Sequence, residues 1–94
     1  MKDFNLLIDL LTEARKKKKY SLRQVERILK HKGVKYTFTA IKKLEDKKIS
    51  TISPLLLKAF AEMYNLDSVE LFKIAGFLDK EFILTKAEFV DFQK

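Results

Sequence analysis

Apolar residues return along this chain at intervals of three and four, the spacing that lines one face of a helix. Phe4, Leu7, Ile8, Leu11 and Ala14 form the first such stripe, behind Asp3 as cap, and predict a helix from about Phe4 to Lys18. Ser21-Leu22-Arg23-Gln24 has the form of a capping box, in which a hydroxyl and an amide side chain each satisfy the other residue's free N–H, and Tyr20 stands where it staples onto Val25. A second helix therefore starts at Leu22, turns Val25, Ile28 and Leu29 inward, and ends where Gly33 supplies a left-handed residue.

Thr37 is the predicted cap of the third helix, because Tyr36 and Ile41 repeat the staple geometry. Ala40, Ile41 and Leu44 then face inward, which leaves Lys42 and Lys43 outside. Ser53-Pro54 opens a fourth helix with Ile52 and Leu57 as its staple, an inner face of Leu57, Phe60, Ala61 and Tyr64, and a stop at Asn65. Asp67-Ser68-Val69-Glu70 is a further capping box, stapled by Leu66 and Leu71, and Gly76 closes the helix it begins. Thr85-Lys86-Ala87-Glu88 repeats the device beside Leu84 and Phe89. Any one such match is weak, but caps, staples and stops agree with the apolar period throughout, and five helices plus a short C-terminal one are the expected layout.

Composition supports that layout and narrows the chemistry. The chain has 94 residues, 47% of them hydrophobic and 35% charged, enough to bury one core and no second. Two glycines and one proline leave few turn residues for a protein of many short strands. With no cysteine there is no disulfide, thiolate metal site or cysteine nucleophile, and His31 is the lone imidazole, read as an exposed residue near a helix end. No nucleophile with its base, no phosphate-binding glycine loop and no metal cluster is legible, so no enzyme, cofactor or metal is expected. No apolar run has the length of a membrane span, and the mixed acidic and apolar start argues against a signal peptide. No membrane contact and a cytoplasmic location are the expectations.

The charge is unevenly placed. Net charge is +7, but the segment from Arg15 to Lys48 holds fourteen basic against three acidic residues, and both flanks are mildly acidic. A basic third of this kind suits a polyanionic partner, since each phosphate neutralised releases condensed counterions. A solvated lysine surface that keeps the protein soluble explains the run about as well.

A family likeness rests on specific residues: the Ser21 start of the second helix, Ile41-Lys42-Lys43-Leu44-Glu45 closing the third, Leu56 to Asp67 followed by Glu70-Leu71, and the closing Ala75-Gly76-Phe77-Leu78. In these the chain resembles the Cro/phage-repressor-type, XRE-like helix-turn-helix domains, over about residues 4 to 78 and most closely in the second half. The resemblance implies an all-α fold, a compact five-helix lambda-repressor-like DNA-binding domain over 1–78, with residues 79–94 as a short C-terminal helical extension. Two departures stand out. Glu26 occupies a place where the family commonly has a small residue such as Ala, and the path from Glu26 through Gly33 to Ile41 is longer than the family's, Lys-rich and includes Tyr36. The tight turn of the motif is not expected to survive, and the angle between the second and third helices stays open.

The resemblance also implies roles. The third helix of such domains lies in the major groove while the second crosses the backbone. Phe38, Thr39 and Lys43 match the family's base-contacting places, with Lys42 beside them; lysine suits guanine O6 and N7, and Phe or a Thr methyl suits the thymine methyl. Phe38 as a half-buried aromatic and Lys42 as a solvated charge are the plain alternatives. Arg23, Thr37, Lys47 and Lys48 are the expected phosphate contacts, joined by Lys35 and Tyr36 of the enlarged turn; Leu22 stands where the family often has Gln, so that contact passes to Arg23. Glu45 is expected to hold a basic residue structurally. The run Arg15 to Lys19 suits either phosphates or the C-terminal dipole of the first helix.

Phe77, Phe82, Phe89 and Phe92 crowd the end of the chain, which either folds back onto the first and last helices or pairs with a second subunit. The leading functional expectation is a sequence-specific double-stranded DNA-binding transcriptional regulator, a repressor, and pairing of two copies on two half-sites would suit that function while the oligomeric state stays open. The alternative is an antitoxin-like or other protein-interaction module that binds a protein partner with little or no DNA specificity.

Overall fold

A helix leaves its first amides unpaired, and this chain places a short polar side chain wherever that need arises. The computed structural model describes residues 4–77, which form α1 (Phe4–Lys17), α2 (Leu22–His31), α3 (Phe38–Glu45), α4 (Pro54–Tyr64) and α5 (Ser68–Ala75). Ser21 and Gln24 make the full reciprocal box at the start of α2, Thr37 accepts from the Ala40 amide, and Ser53 accepts from the Leu56 amide ahead of Pro54. Asp67 accepts from the Val69 and Glu70 amides. The return half of that predicted box is missing, because the Glu70 carboxylate lies 3.6 Å from Lys73 instead. Asp3 and the helix expected after Thr85 lie outside the described residues.

All five helices end by one device. The residue after the last turn takes a left-handed conformation at Lys19, Gly33, Lys47, Asn65 and Gly76, with φ between 57° and 81°. In each case the next amide bonds back to a carbonyl of the last turn: Tyr20 to Arg15, Val34 to Leu29, Lys48 to Lys43, Leu66 to Ala61 and Phe77 to Phe72. Two of the five are glycine and one is asparagine, the types that tolerate this conformation. The two lysines do not advertise a stop.

The apolar stripes converge on α4, whose Leu57, Phe60 and Ala61 are all but inaccessible. Leu7, Ile8 and Leu11 of α1, Val25 and Leu29 of α2, and Leu71 and Ala75 of α5 close around it, while Ile41 and Leu44 of α3 join the same core from their seat against α1 and α2. The Phe60 and Tyr64 rings stack at 5.6 Å, and Tyr20 approaches Tyr64 at 6.4 Å. Burial pushes the Tyr64 hydroxyl well above its ordinary pKa, so the ring stays neutral. No charged side chain is fully buried among the described residues.

One ion pair ties the frame that carries α3. The Arg15 guanidinium grips Glu45 through two bonds, Nε to Oε2 at 2.7 Å and Nη2 to Oε1 at 2.9 Å, and gives a third to the Tyr20 carbonyl at 2.9 Å. The end of α3 is thereby fixed to the end of α1 and to the reversal that leads into α2. The bond to Glu45 raises the Arg15 pKa further, so its charge is permanent. Glu45 thus holds a basic residue, as its position suggested, and Arg15 is committed to structure.

Candidate nucleic-acid interface

An eight-residue helix is about 12 Å long, and α3 has two dissimilar sides. Ile41 and Leu44 anchor it in the core, while Thr39, Lys42 and Lys43 are exposed on the other side. Lys42 pairs with Asp46 one turn on, at 3.2 Å. Lys43 has no ion-pair partner among the described residues and is the free cation of this face.

Phe38 stands at the first position of α3, half-buried, yet it is not among the residues packed against the core. Its cover comes from α2: the Arg23 guanidinium lies over the ring, 4.3 Å from the centroid. Glu26, one turn along α2, accepts from the Phe38 amide through Oε1 at 2.6 Å. Glu26 therefore caps α3 from a neighbouring helix and links α2 to the start of α3. α2 runs to His31, and six residues, 32–37, make the turn between the two helices.

This capping changes where an anion can sit. At the head of α3 the Phe38 amide is held by a carboxylate and the Ala40 amide by Thr37 Oγ1 at 3.2 Å. At the head of α2, Ser21 and Gln24 satisfy each other at 2.7 and 3.1 Å. Neither N-terminus is a bare cradle for phosphate, and a carboxylate at the head of α3 repels one. Thr37 is exposed and keeps its own O–H as donor. Anion contacts on this surface fall to long cationic side chains.

Those side chains form a consistent set. Arg23, Arg27 and Lys30 recur at helical spacing on the exposed side of α2. Lys35 in the turn and Lys48 after α3 are exposed and without an ion-pair partner among the described residues. Lys47 also projects from the end of α3, but its ammonium meets Asp9 of α1 at 2.9 Å. Tyr36 is half-buried with its ring against the core, and burial raises its hydroxyl's pKa, which keeps it a neutral hydrogen-bond donor. It lines a groove of about 510 Å³ with Val34, Ile49 and Leu55.

Reasoning from the sequence missed Arg27, Lys30 and the link from Glu26 to Phe38. The first two carry a readable signal, their spacing from Arg23. The third carries no local one, since Glu26 and Phe38 stand twelve positions apart. Among the described residues no cluster of metal-ligating side chains forms, and no helix is long and apolar enough to cross a membrane. No protein-family model matches the chain, and no match was found among curated proteins or solved structures.

Proposed function

We propose that this chain is a sequence-specific double-stranded DNA-binding transcriptional regulator, a repressor, in which α3 enters the major groove of a lambda-repressor-like domain. The observation that carries this reading is the outward side of α3. Thr39, Lys42 and Lys43 are exposed there, flanked by cations from α2, the turn and the segment after α3 that have no ion-pair partner among the described residues. A helix fits a groove about 12 Å wide, and lysines at its outer face meet base-edge acceptors while Arg27, Lys30, Lys35 and Lys48 neutralise phosphates on either side. Phe38 and Thr39 supply apolar contact for thymine methyls.

Selection of the full chain against a random duplex pool at about 0.1 M salt tests the reading. Enrichment of a two-fold symmetric motif supports a dimeric regulator and gives the half-site spacing. Retention without enrichment makes the protein a non-specific binder. Absence of retention sinks the DNA reading.

A second reading, a protein-interaction module or homodimer interface, draws on a different surface. Leu6 and Leu10 are 51% and 40% exposed one turn apart on α1, and Leu10 borders a groove of about 820 Å³ with Ala14, Tyr64 and Leu66. Neither Phe38 nor Lys43 lines that groove. Sedimentation of the full chain with and without duplex tells a dimer from a monomer.

A further inference from the structure

Arg23 and Phe38 belong to different helices and meet outside the core. Phe38 is half-buried without packing on the core, and Arg23 is exposed with no hydrogen-bond acceptor or carboxylate partner among the described residues. The pair is an exposed cation–π contact that leaves the guanidinium's N–H donors without a partner among the described residues.

We propose that Arg23 and Phe38 form one composite element that reads a guanine adjacent to a thymine, with Glu26 as its positioning residue; this rests on the DNA-binding reading above. The chemistry follows from the two groups. A guanidinium offers N–H donors in a planar fork that matches guanine O6 and N7, and a phenyl ring suits the thymine C5-methyl. The guanidinium lies 4.3 Å from the ring centroid, so the two groups reach the same short stretch of groove. Resting on the ring, the guanidinium has given up much of its rotamer freedom before DNA arrives.

Glu26 makes the placement specific. Its bond to the Phe38 amide fixes the aromatic relative to the helix that carries Arg23, and its negative charge keeps a phosphate from settling at the head of α3. Arg23 is accordingly moved from the backbone contact that the family likeness implied to a base edge.

The test uses the full chain and the duplex it selects, with thymine replaced by uracil, which removes the methyl, or guanine by 7-deazaguanine, which removes N7. The wild-type protein is expected to lose at least about fivefold in affinity on each replacement. Phe38→Ala should bind thymine and uracil duplexes equally. Arg23→Lys, which keeps the charge and loses the fork, should no longer distinguish guanine from its deaza analogue. Glu26→Ala should blunt both discriminations and Glu26→Gln, which keeps an acceptor oxygen, should restore them; this ratio does not move with stability alone. If the selected motif has no thymine–guanine step, or if Arg23→Lys weakens every duplex alike, the proposal falls while the DNA reading stands. If the wild-type chain enriches nothing, both fall.

Discussion

The two ends of α3 are each tethered by a charged residue from another helix, and the two tethers are built differently. At the C-terminal end Arg15 gives three hydrogen bonds, two of them to Glu45, and the paired side chains are only 16% and 13% exposed. At the N-terminal end Glu26 accepts one bond from the Phe38 amide, beside an arginine whose own donors are left open. The first arrangement uses up its polar capacity inside the protein. The second holds a residue in position and leaves capacity for a ligand. A charge that is spent and a charge that is kept look alike in a sequence, and the geometry separates them.

Breaking the C-terminal tether should have the largest effect. Arg15→Ala leaves the largely shielded Glu45 carboxylate unpaired and frees the Tyr20 carbonyl, and it is expected to cost about 2–3 kcal/mol in a denaturant unfolding experiment. The double variant Arg15→Met, Glu45→Leu should recover most of that loss, since neither partner is then left alone. A loss below about 0.5 kcal/mol for Arg15→Ala would reduce the pair to an ordinary surface contact.

Lys43→Ala should leave stability almost unchanged and cost about 1–3 kcal/mol on the selected site, with relaxed preference at one position. Lys48→Ala should instead weaken all duplexes alike and lower the slope of log affinity against log salt by about one. Identical behaviour of the two variants in a salt titration would mean that α3 does not read bases.

The N-terminal tether should cost less to break than the C-terminal one. Glu26→Ala removes a single cap-like bond and is expected to destabilise by about 1 kcal/mol, a value that the same unfolding experiment resolves. Alkaline pH probes the core between the tethers. The folded-state pKa of Tyr64 is raised above the unfolded value near 10, so its contribution is complete below pH 10 and declines above it as the unfolded chain ionises. Stability should therefore fall above pH 10, by at most about 1.4 kcal/mol per pH unit for this group, and Tyr64→Phe should flatten the decline.

The same contrast explains what the sequence could be made to say. Helix starts were legible because a cap is local: Ser21 with Gln24, Thr37, and Ser53 with Pro54 act within four residues. The stops at Gly33, Asn65 and Gly76 were legible for the same reason. The ion pair of Arg15 with Glu45 spans thirty positions, and only the family likeness pointed to Glu45. The bond from Glu26 to Phe38 spans twelve, across the turn whose length set this chain apart, so nothing local marked it. At the candidate site, exposure of Thr39, Lys42 and Lys43 followed from periodicity. Which cations are already paired did not, since Lys47 meets Asp9 from a helix far back in the chain.

Lys19 and Lys47 give the smallest and most discriminating test. Both hold left-handed backbone, with φ of 60° and 62°, at a place in the helix end where glycine is ordinarily preferred. Relief of that strain, set against the greater freedom of glycine in the unfolded chain, should make Lys19→Gly and Lys47→Gly each more stable by about 0.5–1 kcal/mol. The Lys47 variant loses its exposed pair with Asp9 as well, which subtracts little. In stability the two substitutions are therefore near equivalents. In DNA binding they should part: the exposed Lys47–Asp9 pair is weak enough for a phosphate to displace Asp9, so Lys47→Gly is expected to weaken every duplex and flatten the salt dependence, whereas Lys19→Gly, at the end of α1, should leave the selected motif unchanged. A lysine retained at a strained position is then accounted for at α3 by phosphate contact. Equal binding by both variants would assign Lys47, like Arg15, to the charges the fold has already spent.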